Sequence, residues 1–145
     1  MYDQYGTIGG GGGNVAGVAD GDAASQEFAT VGGGFSNEAA AEYATASGGF
    51  ENGASGYAST VGGGTFNTAS NSLATVGGGT TNSAGGQYSV VAGGQSNSAS
   101  SRSAAIGGGQ GNSITGPYGT VPGGAQNSVG GQLGFAAGFQ AHADH

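Results

Sequence analysis

The stretch Leu73-Ala74-Thr75-Val76-Gly77-Gly78-Gly79-Thr80-Thr81-Asn82-Ser83-Ala84 decides the reading of this chain. Its Asn has counterparts at Asn37, Asn52, Asn67, Asn97, Asn112 and Asn127, in steps of 15. Its middle Gly has counterparts at 33, 48, 63, 93, 108, 123 and 138, again in steps of 15. The unit reads aromatic-Ala-Thr-Val-Gly-Gly-Gly-x-x-Asn-x-Ala-x-x-x, and its clearest copies start at Phe28, Tyr43, Leu73, Tyr88 and Tyr118. The copy at Ala58 shifts its aromatic to Tyr57, and the copy at Ser103 lacks one. An earlier copy, Tyr5 to Asn14, starts 23 residues before Phe28, which implies an insertion of 23 − 15 = 8 residues within 15–27. The last copy starts at Leu133 and places His142 where Asn is expected.

A fixed period of this length is the mark of a repeat architecture. Collagen requires Gly at every third residue, which is not the pattern here. Helical repeats are excluded as well, because each Gly of the triplet costs a helix about 1 kcal/mol relative to Ala. Helix-turn-helix repeats also need about 33 residues or more. The period therefore predicts an all-β parallel solenoid of about eight 15-residue coils, stacked about 4.8 Å apart.

Alternation along a strand assigns the faces. Val31, Val61, Val76, Val91, Ile106 and Val121 form one small apolar column, expected inside together with the column of Ala, Ser and Gly that starts at Ala29. Ala39, Ala54, Ala69, Ala84 and Ala99, continued by Ile114 and Val129, are expected to line the opposite wall. Such small side chains require a flat, narrow coil with two short strands per turn, near 28–32 and 37–41. The Gly pair at 33–34 makes one corner. The Asn column is expected to make another, through its tolerance of the left-handed conformation and its capacity to hydrogen-bond up the stack. Thr30, Thr45, Thr60, Thr75 and Thr120 face outward beside Phe28, Tyr43, Leu73, Tyr88, Tyr118 and Leu133. An outward apolar ladder over so lean a core calls for association, in which several chains bury that ladder together.

Composition narrows function. Of 145 residues 37 are Gly, and only 6% are charged, against about 25% in a typical domain. Arg102 is the only cation among Lys and Arg, too few to neutralise nucleic-acid phosphates or to serve as a Walker-type lysine. With no Cys, disulfides and thiolate metal sites are absent. No run of 18 apolar residues suggests membrane insertion. Met1-Tyr2-Asp3-Gln4 does not open a signal peptide, so an exported protein of this kind is expected to be longer than this chain.

Ala29-Thr30-Val31-Gly32 followed by Asn37-Glu38-Ala39, with the same pattern at 59–69 and 74–84, resembles the head repeats of trimeric autotransporter adhesins (YadA-like heads). Ala29, Val31 and Gly32 match the inward pair and the Gly of that family's Ser-Val-Ala-Ile-Gly motif. The repeat here is a little longer and its Gly triplet richer. Similar stretches also look like trimeric phage tail-fibre repeats. The resemblance covers nearly the whole chain, as a single head domain over 1–145. It implies a left-handed β-roll, a homotrimer, and attachment to a host surface protein or glycan from a cell surface or a virion fibre. It also makes 138–145 look like the run-out toward a connector.

Several residues invite chemistry. Asp20 and Asp22 flank a Gly in the insertion and carry oxygen ligands of the kind Ca²⁺ takes, but no full calcium-binding motif surrounds them, and a solvated acidic loop is the favoured reading. His142, Asp144 and His145 are residue types that ligate metals, but their terminal position argues against a site, and no metal is expected. Glu38 and Glu42 are four apart without a defined mutual geometry, and no catalytic constellation is present. No cofactor and no enzyme activity are expected. Surface recognition is expected to fall on the variable outward aromatics Phe35, Phe50, Tyr57 and Phe66 and on the 15–27 insertion. The leading expectation is a non-enzymatic adhesive or fibre head. A purely structural spacer is the alternative, separable by a glycan or protein array, and an ice-binding solenoid built on the Thr ladder is another, separable by thermal hysteresis.

Overall fold

The computed structural model describes residues 5–17 and 28–144. These residues form a parallel β-solenoid with two strands per turn and no helix. One sheet has eight strands, from Thr7–Ile8 and Thr30–Val31 through Thr75–Val76 to Thr120–Val121. A second has nine, from Val15–Ala16 and Glu38–Ala39 through Ser83–Ala84 to His142–Ala143, and Gly124–Ala125 with Gly138–Phe139 makes a third of two strands. Register is kept turn by turn, with Val61 opposite Val76, Val76 opposite Val91, and Ala69 opposite Ala84. The strands are shorter than their apolar pattern suggested, only two residues each. A left-handed residue sits two positions before most of them, as Phe28 does before Thr30 and Ser36 before Glu38, and limits the extended run.

Those left-handed positions correct the sequence reading. The Asn column is not left-handed. The residue before it is, at Ser36 (φ 53°), Glu51 (φ 51°), Phe66 (φ 57°) and Thr81 (φ 57°). A second set lies at Phe28 (φ 65°), Tyr43 (φ 58°), Leu73 (φ 58°), Tyr88 (φ 60°) and Tyr118 (φ 60°), so these side chains stand at a corner and not on a strand face. Positive φ costs an L-residue roughly 1–2 kcal/mol. Its hydrogen bonding accounts for the choice. Strand residues donate to the following turn, as Thr75 N–H does to Ser89 O at 2.9 Å and Ser83 N–H to Asn97 O at 2.8 Å. Left-handed residues donate to the preceding turn, as Thr81 N–H does to Thr65 O at 2.9 Å and Leu73 N–H to Tyr57 O at 2.8 Å. Turning the peptide over at two corners satisfies donors that would otherwise point at no acceptor.

The interior consists of the Ala, Ser, Val and Ile columns, all fully or almost fully buried. The buried hydroxyls are paired locally: Ser89 Oγ donates to Gly86 O at 2.7 Å and accepts from Gly86 N–H at 3.1 Å. Wall-to-wall volume is conserved along the coil. Where the Ala39 column enlarges to Ile114 and Val129, the Ala29 column shrinks to Gly119 and Gly134. A Cβ on Gly119 would lie 2.7 Å from Ile114 Cγ2 and 2.8 Å from Val129 Cγ1. Gly119→Ala should therefore cost about 1–3 kcal/mol by overpacking, and Ile114→Ala about 2–5 kcal/mol by cavity formation. The double variant should be less destabilised than the sum by about 1 kcal/mol or more. Strict additivity in urea melts would contradict direct contact between these walls.

The Asn side chains lie inside, each no more than 1% exposed from Asn37 to Asn127. Asn82 is representative. Its N–H donates to Asn67 Oδ1 at 2.9 Å, and its Nδ2 donates to Gly78 O at 2.9 Å and Gly94 O at 2.8 Å. Its Oδ1 accepts from Asn97 N–H at 3.0 Å. The Gly beside this ladder is required twice over. Gly79 has φ 89°, and a Cβ there would fall 2.1 Å from Gly94 O and 2.7 Å from Asn82 Nδ2.

The C-terminal segment departs from expectation. It does not run out at 138, since Gly138–Phe139 pairs with Gly124–Ala125 and His142–Ala143 pairs with Ser128–Val129. The last turn is one residue short, because Gly124 stands opposite Gly138. Ala141, not His142, therefore takes the Asn position, its N–H donating to Asn127 Oδ1 at 3.0 Å. At the other end, Val15–Ala16 is still in register with Glu38–Ala39. The expected insertion then falls in 18–27, which together with Asp20 and Asp22 lies outside the described residues. Among the described residues no helix is long and apolar enough to cross a membrane.

Candidate recognition surface

Two sets of large side chains, mostly aromatic, line the outside, with Phe135 exposed apart from both in the last turn, and the sequence alone divides them differently. The first runs the length of the coil: Tyr5, Phe28, Tyr43, Tyr57, Leu73, Tyr88, Tyr118 and Leu133, each 41% exposed or more. Tyr5 and Phe28 stack at 5.2 Å between centroids, Phe28 and Tyr43 at 5.4 Å, and Tyr43 meets Tyr57 edge-on at 5.8 Å. Tyr57 thus belongs to this line although it is one residue out of phase. It was grouped by sequence with Phe35, Phe50 and Phe66.

Those three phenylalanines form a separate cluster at the other corner. Phe35 and Phe50 are bridge partners and stack at 5.7 Å, and Phe66 meets Phe50 edge-on at 5.5 Å. All three are open to solvent. The same bridge column continues as Thr65, Thr80, Gln95, Gln110 and Ala125 and regains an exposed Phe only at Phe139 in the last turn, so paired, stacked rings are confined to the turns of Phe35, Phe50 and Phe66.

Next to this cluster lies a groove lined by Ser36, Glu38, Glu51, Gly53, Ser55 and Thr68. Its opening is explained by the outward ladder of the second sheet, in which Glu38, Gly53 and Thr68 are successive partners. A Cβ on Gly53 would meet nothing within 4 Å, so the missing side chain leaves a notch one rung deep. Glu51 shares a column with Ser36 and Phe66. The carboxylate that joins Glu38 is therefore that of Glu51, whereas the sequence reading had weighed Glu38 with Glu42. Column arithmetic could have found this pair, since positions 38 and 51 lie in successive turns, in the two outward columns that flank the buried Asn column.

The remaining candidates stay apart. His142 and Asp144 are exposed at the last turn, His145 lies outside the described residues, and among the described residues no group of three metal-ligating side chains is present. The Thr ladder Thr30, Thr45, Thr60 and Thr75 is only partly exposed and gives way to Val90 and Ala105. In comparison with known proteins, no family model matches the chain and no curated protein matches it.

Proposed function

We propose that this chain is an extracellular attachment or fibre head segment in which three copies wind side by side, non-enzymatic, with left-handed coils like those of the trimeric autotransporter adhesins it resembles. One observation carries the reading: the outward line of eight large side chains from Tyr5 to Leu133, interrupted at Ser103. A buried aromatic covers about 150–250 Å², so eight half-exposed side chains leave open roughly 800 Å². That is the share of one partner in a standard interface. The thin interior of Ala and Val supports the same reading, because each coil buries little apolar surface of its own.

Native mass spectrometry tests it. A species of three times 13.4 kDa is expected. Tyr88→Ser with Tyr118→Ser, which reproduces the Ser already found at Ser103 in that column, should raise the concentration needed for assembly about tenfold or more. A lone stable monomer would defeat the proposal, and an assembly insensitive to both substitutions would move the interface to another face.

A further inference from the structure

We propose that the Phe35–Phe50–Phe66 cluster and the groove beside it dock an arginine- or lysine-bearing peptide segment on the partner surface. This deepens the attachment reading and rests on it. The repeat supplies an internal control. The same three columns run through the turns on the same backbone, and from Thr80 to Ser128 they hold only Ser, Thr, Gln, Gly and Ala. Over neighbouring turns they change together: the bridge column becomes Phe35 and Phe50, the left-handed column becomes Glu51 and Phe66, and the outward strand column becomes Glu38 and then Gly53, whereas the one later Phe of the bridge column, Phe139, stands beside Gln140 and His142 with no carboxylate in these columns. Architecture does not require the change, because the other turns fold without it.

Charge decides what fits. The chain carries a net charge of −7, and its only Lys or Arg is Arg102. Arg102 repeats the position of Glu42 four turns on, about 19 Å along the coil at 4.8 Å per turn. That is beyond the screening length at physiological salt, so the charge of Glu38 and Glu51 is left for a partner to neutralise. A guanidinium or ammonium group can enter the notch at Gly53 between the carboxylates and Thr68, while its alkyl stem covers the phenylalanine edges. An adjacent cation on the segment can lie against a ring of the cluster.

The test uses the intact chain and a fluorescein-labelled hexa-arginine peptide, read by anisotropy at low and physiological salt. Glu38→Gln with Glu51→Gln should weaken binding about tenfold. Glu42→Gln, outside the groove, should change it less than about twofold. Two variants hold the charge constant. Gly53→Gln fills the notch at a position where other turns carry Thr or Ser, and Phe66→Ser copies Ser36 and Ser96 in its column. Each should weaken binding about threefold or more. No binding by the intact chain overturns the proposal. So does equal loss on Glu42→Gln and on the groove pair, which would indicate general attraction to an acidic chain. Full binding by both charge-neutral variants overturns it as well. None of these outcomes affects the oligomeric mass, so failure here is distinguishable from failure of the trimeric attachment reading.

Discussion

Val76→Asp should abolish the folded solenoid. Val76 is fully buried and stands in register between Val61 and Val91. Its neighbours across the coil belong to a wall of Ala side chains, so the new carboxylate would meet neither water nor a cation. Burying an unpaired charge costs several kcal/mol even after relaxation, and the whole stability of a domain is about 5–15 kcal/mol. Each turn contacts only the turns above and below it, so disrupting a central rung separates the stack into two short pieces. The same substitution one column out should be mild. Ser83 faces outward between Thr68 and Ser98, and Glu38 already occupies an equivalent place. Thermal melts followed by circular dichroism should show Val76→Asp without a cooperative transition, or lowered by about 15 °C or more at about 4 °C per kcal/mol. Ser83→Asp should stay within about 2 °C of the parent. Equal damage from both would refute the assignment of faces.

Asn82→Ala should be the next most damaging change. It removes the acceptor of the Asn97 N–H and the Nδ2 donor that reaches Gly78 O and Gly94 O. Gly94 O keeps the N–H of Thr80, at 2.9 Å. The Asn97 N–H is left buried without a partner, at about 1–3 kcal/mol, and the vacated volume adds a cavity cost. A total loss of about 3–5 kcal/mol follows. Asn71→Ala is the matched control. Asn71 is exposed, its Nδ2 reaches Gly85 O at 3.2 Å, and its Oδ1 accepts the N–H of Ser72. Its loss should cost less than about 1 kcal/mol. Urea midpoints for the two variants decide the matter, and similar midpoints would mean that the ladder contributes nothing particular to Asn82.

The candidate surface was half legible in the sequence. Phe35, Phe50 and Phe66 stood out as variable aromatics in a monotonous repeat. That Tyr57 belongs to the opposite corner did not, because a shift of one residue changes its column only if the left-handed residues are known. The Glu38 and Glu51 groove was missed for a related reason. Linear spacing favours Glu42 as the partner of Glu38, whereas the coil sets residues 13 apart side by side in the groove. The shortened last turn was misread through the Gly column, where stepping by 15 hid a turn in which Gly124 meets Gly138.

The sequence by itself determined the solenoid, the identity of the inner apolar columns and the position of the Gly corner. All three follow from periodicity, side-chain size and the absence of any helical stripe, which are properties of single positions and their spacing. Only the tertiary structure decided which residues adopt positive φ, that the Asn amides turn inward, and which outward side chains share a corner. The physical reason is that a backbone amide in this fold has a choice between the turn above and the turn below. That choice is settled by where acceptors of the neighbouring coils lie, as Thr81 and Leu73 show in reaching back to Thr65 and Tyr57.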